Sequence, residues 1–256
     1  MEAYKFNNDR EITFTSSLGV PTKVDIELFK NALHNTHGLI DKILLDIPVD
    51  IFEILGMRNL SAFIGELYVK CFEKVSSNSY LSNPHQDGYP DLLLMDKNGS
   101  MIFEKLKKNS ESLSKAPFSP FENGGIEVKA TVGSVPTPEK CAKKYGLPKP
   151  QIGDTRIKMM MGYDWKAHHR ETNNLLGLTW DFIDGVPRIT AIFFSPNLEE
   201  EDWGKIIKPK KGGGKTTSVS IMTRNGVKKM YDNWICVLDD KDYIDFFNKY
   251  NKSQIL

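Results

Sequence analysis

The sequence predicts one α/β domain, a central mixed β-sheet flanked by helices with loop insertions. Two observations carry that expectation. Apolar residues recur at helical spacing through most of residues 1–80 and again near the C-terminal end. Between them the pattern switches to short apolar runs bounded by turn residues. No internal repeat or low-complexity tract interrupts this order, and 256 residues suffice to bury a full core in a single domain, 1–256. The expected parts are a mainly helical segment 1–80, a sheet core over 85–195, and a part over 196–256 that holds a basic loop, a closing strand and a helix.

Residues 23–46 place Ile26, Phe29, Leu33, Ile40, Ile43 and Leu44 at roughly helical spacing, with Gly38 as the expected break. Leu60, Phe63, Ile64, Leu67, Tyr68, Cys71, Phe72 and Val75 then follow the i, i+3, i+4, i+7 pattern of a second helix, with Asn59 or Ser61 as cap and Ser76-Ser77-Asn78-Ser79 as its end. Residues 91–95 form a short apolar run between Tyr89-Pro90 and Asp96-Lys97-Asn98-Gly99, which reads as a buried strand ending in a turn. Residues 104–123 are polar, contain Pro117 and Pro120, and read as a long loop or insertion. Gly124-Gly125 leads into a second strand over 126–131. Pro136, Pro138, Pro148 and Pro150 surround a short basic helix near 138–146. The β-rich runs 175–182 and 187–195 are joined by Asp184-Gly185, a hairpin signal. After a basic, glycine-rich stretch over 204–230, residues 234–238 predict another buried strand. Asp239-Asp240 then caps a final helix with Tyr243, Phe246, Phe247 and Tyr250 on one face.

Lys and Arg total 34 against 33 Asp and Glu, a net charge of +1. That balance argues against a protein that coats nucleic acid over its whole surface. It leaves room for an enzyme with a local basic patch, because the placement of charge sets the attracting field. No stretch reaches the ~18 apolar residues of a bilayer span, and residues 1–10 have no apolar run of the secretory kind. The expectation is no membrane partner and a cytoplasmic location. Cys71, Cys141 and Cys236 lie far apart with no CxxC spacing, so reduced thiols are expected.

The informative strings are Pro90-Asp91 and Glu127-Val128-Lys129. Side chains alternate along a strand, so Glu127 and Lys129 share one face while Val128 enters the core. The flanks Gly125, Ile126 and Ala130 are apolar or small, as in a central strand, where a charged pair needs a partner or a function. Asp91 opens the other short strand and can supply a second carboxylate. Two converging carboxylates make a hard oxygen site suited to Mg²⁺, which keeps several waters and completes its shell from a phosphate. A lysine beside them can hold the attacking water and offset charge developing at phosphorus.

Together these strings resemble the PD-(D/E)xK motif of the restriction-endonuclease-like nuclease superfamily. Chain size and the motif's position near the middle resemble type II restriction endonucleases within it. The motif covers five residues, and the wider likeness lies in the order of elements. Residues 92–126 form a long separation for this motif and require an insertion over 98–123, with Asp87 or Asp96 as alternative ligands. The resemblance implies a restriction-endonuclease-like core with Asp91 and Glu127 on the metal, the Val128 backbone carbonyl assisting and Lys129 positioning the water. It also implies Mg²⁺-dependent hydrolysis of double-stranded DNA leaving 5′-phosphates, a homodimer acting on palindromic sites, a cognate DNA methyltransferase and a prokaryotic cytoplasm. A glutamate from a preceding helix often joins such sites, and Glu66 is the candidate, although it falls opposite the apolar stripe of its helix.

Between Lys205 and Lys229 no acidic residue accompanies the basic ones, so this window is the expected DNA footprint. Its candidate contacts are Lys208, Lys210, Lys211, Gly213, Lys215, Thr216, Arg224 and Lys228. A second basic stretch over 140–170 adds Lys144, Arg156, Lys158, His168 and Arg170. Two other patterns fail on inspection. Gly214-Lys215-Thr216 lacks the leading glycine of a phosphate-binding loop, since position 209 is Pro209. His34-x-x-His37 has zinc-like spacing but no nearby cysteine, and reads as a helix end.

Overall fold

The computed structural model describes residues 3–8, 11–46, 51–163, 165–167, 170, 172–208 and 218–249. The chain opens with β1 (Tyr4–Phe6), β2 (Ile12–Thr15) and β3 (Pro21–Val24), followed by α1 (Ile26–Asp46), α2 (Ile51–Ile54) and α3 (Met57–Val75). Next come β4 (Tyr80–Ser82), β5 (Leu92–Leu94), α4 (Lys97–Lys108), β6 (Gly125–Thr131), α5 (Pro138–Tyr145) and β7 (Lys166–Ala167). The remainder is β8 (Leu175–Ile183), β9 (Val186–Ser195), β10 (Ser220–Ile221), α6 (Arg224–Asp232), β11 (Trp234–Leu238) and α7 (Lys241–Asn248).

A seven-stranded mixed sheet in the order β1-β11-β9-β8-β6-β5-β4 forms the centre. Its one parallel pairing joins β6 to β8; the others are antiparallel. β8 and β9 are buried almost throughout, the pattern of strands covered on both faces. Ile126, Val128, Leu176, Leu178, Trp180, Ile192 and Phe194 pack in one core with Phe29, Leu33, Ile64, Tyr68 and Phe72 from α1 and α3. Leu175, Ala191, Phe193 and Val237 pack in a second core with Met230, Tyr231, Tyr243, Phe246 and Phe247 from α6 and α7. The Asp184-Gly185 turn closes the β8–β9 hairpin with φ of 50° and 80°, the positive values a tight two-residue turn demands.

The predicted runs over 91–95, 126–131, 175–182, 187–195 and 234–238 are strands, and the predicted helices over 60–75, near 138–146 and after Asp240 are present. Four expectations are corrected. The N-terminal part carries β1–β3 before its helices, with β1 on the sheet edge against β11. α1 runs unbroken through Gly38, because His37 and Ile40 on either side are buried by packing, which overrides the glycine's weak propensity. The turn read at 96–99 starts α4 instead: the Asp96 carboxylate accepts from Gly99 N–H at 2.9 Å, and Leu106 packs with Leu93, Phe118 and Phe121. Within the basic window, Thr223 caps α6 by accepting from Gly226 N–H at 3.3 Å.

No helix among the described residues is long and apolar enough to cross a membrane. The three cysteines are buried and unpaired. His37 accepts the Ile189 backbone N–H through Nε2 at 3.0 Å, which explains its burial as part of the fold.

Candidate active site

β5 has three residues and β6 has seven, so β6 runs on past the end of its neighbour. The register pairs Leu92 with Ile126 and Leu93 with Gly125. Continued outward, it sets Asp91 opposite Glu127 and Pro90 opposite Val128. Alternation of backbone direction along β6 follows from Glu127 N–H donating to the Asn174 carbonyl on the β8 side. Val128 N–H and C=O therefore face the β5 side. Pro90 has no N–H to give that carbonyl, and its own carbonyl accepts from the Asn83 side chain at 2.9 Å. The Asp91 carboxylate takes the Val128 N–H instead, at 2.8 Å. The Pro-Asp pair thus ends one ladder and leaves an open strand edge beside a carboxylate.

Asp91 is fixed from several sides. Its carbonyl accepts from Asn83 N–H at 2.9 Å, while the Asn83 side chain also donates to the Phe118 carbonyl at 3.0 Å. Lys129 Nζ lies 3.4 Å from Asp91 Oδ2 and also pairs with Glu127 Oε1. Burial pushes the Glu127 carboxyl up to about 7, against the lowering effect of Lys129. Burial opposes the charge on Lys129 too, but Glu127 and Asp91 outweigh it and hold the ammonium above the usual lysine range. The second Glu127 oxygen, Oε2, is buried and has no hydrogen-bond partner.

These residues open onto a cleft of about 440 Å³. One wall is α3, whose Gly65 brings the helix close to β6: a Cβ there would lie 3.8 Å from Ala130 Cβ. Glu66 follows on the same wall, on the exposed side of the helix. Its carboxyl is raised by burial and then by the charge of Asp91, with Lys129 and Lys70 opposing. The cleft therefore gathers Asp91, Glu127, Lys129 and Glu66. Asp87 lies on the same cleft, exposed and 3.8 Å from Lys115, whereas Asp96 is committed to capping α4.

Among the described residues no group of three or more His, Cys, Asp or Glu side chains forms a ready metal cage. The donor set still fits Mg²⁺, an ion that needs few protein ligands and retains waters. An orphaned Glu127 oxygen, the Asp91 carboxylate and a Val128 carbonyl facing the open edge are the oxygens available to it.

The expected DNA contacts scatter more widely. Lys144 is exposed on α5, Lys208 is exposed, and Arg224 and Lys228 line a separate hollow of about 500 Å³ beside α6. Lys158 is exposed, 3.9 Å from Asp242. Arg170 is tied to Glu200 at 2.5 Å and to the Trp203 carbonyl at 3.2 Å. Arg156 is largely buried, and its backbone N–H is held by the Asp181 carboxylate. Lys210, Lys211, Gly213, Lys215, Thr216 and His168 lie outside the described residues. The basic window is also less uncompensated in space than in sequence, because Lys229 pairs with Asp202 at 2.6 Å and Glu199 at 3.0 Å.

Two further cations line the cleft, Arg58, which sequence reasoning missed, and Lys166, which belongs to the basic stretch over 140–170. Arg58 was within reach, since 58, 62, 65, 66 and 69 share a helical face. Lys166 stands out in sequence only as one member of that basic stretch; tertiary packing singles it out on the cleft. Comparison with family models, curated proteins and solved structures finds no match to this chain.

Proposed function

We propose that this chain is a Mg²⁺-dependent nuclease of the PD-(D/E)xK type, acting on double-stranded DNA as a site-specific type II restriction endonuclease. The observation that carries the reading is the junction of β5 and β6. There Asp91, Glu127 and Lys129 meet at an unpaired strand edge on the floor of an open cleft, with one Glu127 oxygen left without a partner. Asp91, Glu127 and the Val128 carbonyl hold the ion. When bound, Mg²⁺ supplies positive charge at the phosphoryl oxygens as a Lewis acid. Lys129 orients the attacking water and donates to the charge that builds at phosphorus. Water attacks phosphorus, the bond to the 3′ oxygen breaks, and a 5′-phosphate and a 3′-hydroxyl remain. Glu66 modulates the field of the cleft from α3.

Two copies are needed to cut both strands of a palindrome with one site per chain, so the reading includes a homodimer, with a cognate methyltransferase protecting host DNA in a prokaryotic cytoplasm. A second reading, a non-catalytic DNA-binding module, is favoured by one observation: Lys129 is already engaged in ion pairs with both Asp91 and Glu127.

Phage DNA incubated with the protein and Mg²⁺ separates the readings. Discrete fragments, lost in EDTA and in Asp91→Ala, are the expected result. Cleavage confined to branched or mismatched DNA indicates a repair or junction-resolving enzyme of the same type. Binding without cleavage under any divalent ion contradicts the nuclease reading.

A further inference from the structure

The cleft floor is acidic. Asp91 and Glu127 line it, Glu66 and Asp87 add charge from the walls, and Lys129 is paired with the first two. A phosphodiester approaching that floor meets like charge unless cations at the rim compensate. Among the described residues lining the cleft, the other cations are Arg58 and Lys166, both exposed.

Their positions differ in an informative way. Arg58 lies two helical turns before Glu66 on α3, about 12 Å along the axis at ~1.5 Å per residue. Among the α3 residues that line the cleft, Arg58 is the one farthest from Glu66 along the helix, so it sits at the rim and away from the carboxylates. Lys166 sits on β7, paired in register with Ile221 of β10. The next residue, Met222, donates its N–H to the Trp165 carbonyl at 3.0 Å and lines the hollow that carries Arg224 and Lys228. Lys166 is thus the joint between the carboxylate cleft and the cations of α6.

Resting on the nuclease reading, we propose that Arg58 and Lys166 are phosphate-positioning residues. They hold the DNA backbone at phosphates flanking the scissile one, and Lys166 hands the strand on to Arg224 and Lys228. Neither touches the reacting atoms; their work is electrostatic grip and register.

The test measures binding of a fluorescent duplex of about 30 base pairs in EDTA across a salt series, for wild type, Arg58→Ala, Lys166→Ala and the double variant. Arg58→Gln and Lys166→Gln repeat it with the side-chain stems retained. Lys42→Ala, an exposed position on α1 outside the cleft, is the control. Each cleft variant should flatten the plot of log affinity against log salt by about 0.9, and the double variant by about 1.8. Lys42→Ala should leave the slope unchanged, and melting temperatures should stay at the wild-type value. A wild type that binds with a salt-dependent slope, while the cleft variants keep that slope, overturns this inference and leaves the nuclease reading standing. A wild type that neither binds nor cleaves DNA overturns both.

Discussion

Lys129→Met is expected to lower the cleavage rate by roughly 10²–10³-fold while DNA affinity changes little. The methionine keeps most of the stem volume on β6 but removes the ammonium that faces Asp91 and Glu127. Transition-state charge loses a donor, whereas rim contacts remain. The same change strands two carboxylates, one of them buried, and breaking a buried pair costs about 3–5 kcal/mol when the remaining charge stays ionised. Glu127 has another option, because burial already pushes its carboxyl up to about 7. Without Lys129, which lowers it, that value rises further. The sign follows from linkage: a carboxyl raised in the folded state favours folding at low pH, and that contribution is lost as pH climbs through the folded value. Below about 7 the group is protonated in both proteins and the stability penalty should be small; above it, the penalty should grow. Melting curves at pH 5.5 and pH 8 check this, and an equal penalty at both would contradict the buried charged pair.

Gly125→Val is expected to remove the fold itself. Gly125 pairs with Leu93 across the β5–β6 ladder and has φ of 158°. A Cβ at this position would overlap the Leu92 carbonyl oxygen. Leu92 and Leu94 are 0% and 2% exposed, so the strand has nowhere to retreat. Forcing it apart separates Asp91 from Glu127 and opens two cores, an effect above about 4 kcal/mol against a total domain stability of about 5–15 kcal/mol. The variant should be recovered largely unfolded or insoluble. Gly65→Ala is the contrast. Its Cβ would make only an ordinary 3.8 Å contact with Ala130, and removing a glycine from the middle of α3 should raise stability by about 0.5–1 kcal/mol. Thermal unfolding of both variants tests whether the glycines act as the packing requires.

These effects turn on residues whose legibility in the sequence was uneven. Strong local signals were sufficient for β5, β6, β8, β9 and β11, because continuous apolar runs between turn residues are what a strand buried on both faces demands. The helix over α3 was equally plain from its apolar stripe. β1 was hidden because its partner β11 lies at the other end of the chain: Tyr4 pairs with Leu238, and no local pattern encodes that. α4 and α6 were hidden because polar and basic composition outweighed a narrow apolar face, Leu106 in one and Met230 with Tyr231 in the other.

The candidate site shows the same division. Asp91, Glu127 and Lys129 were legible from side-chain alternation and the Pro-Asp turn. Their mutual distances, the Val128 N–H held by Asp91 and the orphaned Glu127 oxygen depend on the register of β5 against β6. Glu66 was read as lying away from the apolar stripe, and it does; the cleft lies on that side of α3. Arg156 looked like a phosphate contact by charge alone, while the fold spends its backbone on Asp181 and largely buries its side chain.

Relaxation and linearisation of supercoiled plasmid, followed as Mg²⁺ is titrated into wild type and Asp91→Ala side by side, tests the central claim most directly. A rate that rises with Mg²⁺ and saturates in wild type, and stays at background in the variant at every concentration, is the predicted result. Equal rates in the two proteins, or cleavage by wild type that persists in EDTA, would contradict a metal-assisted centre built on Asp91 and Glu127.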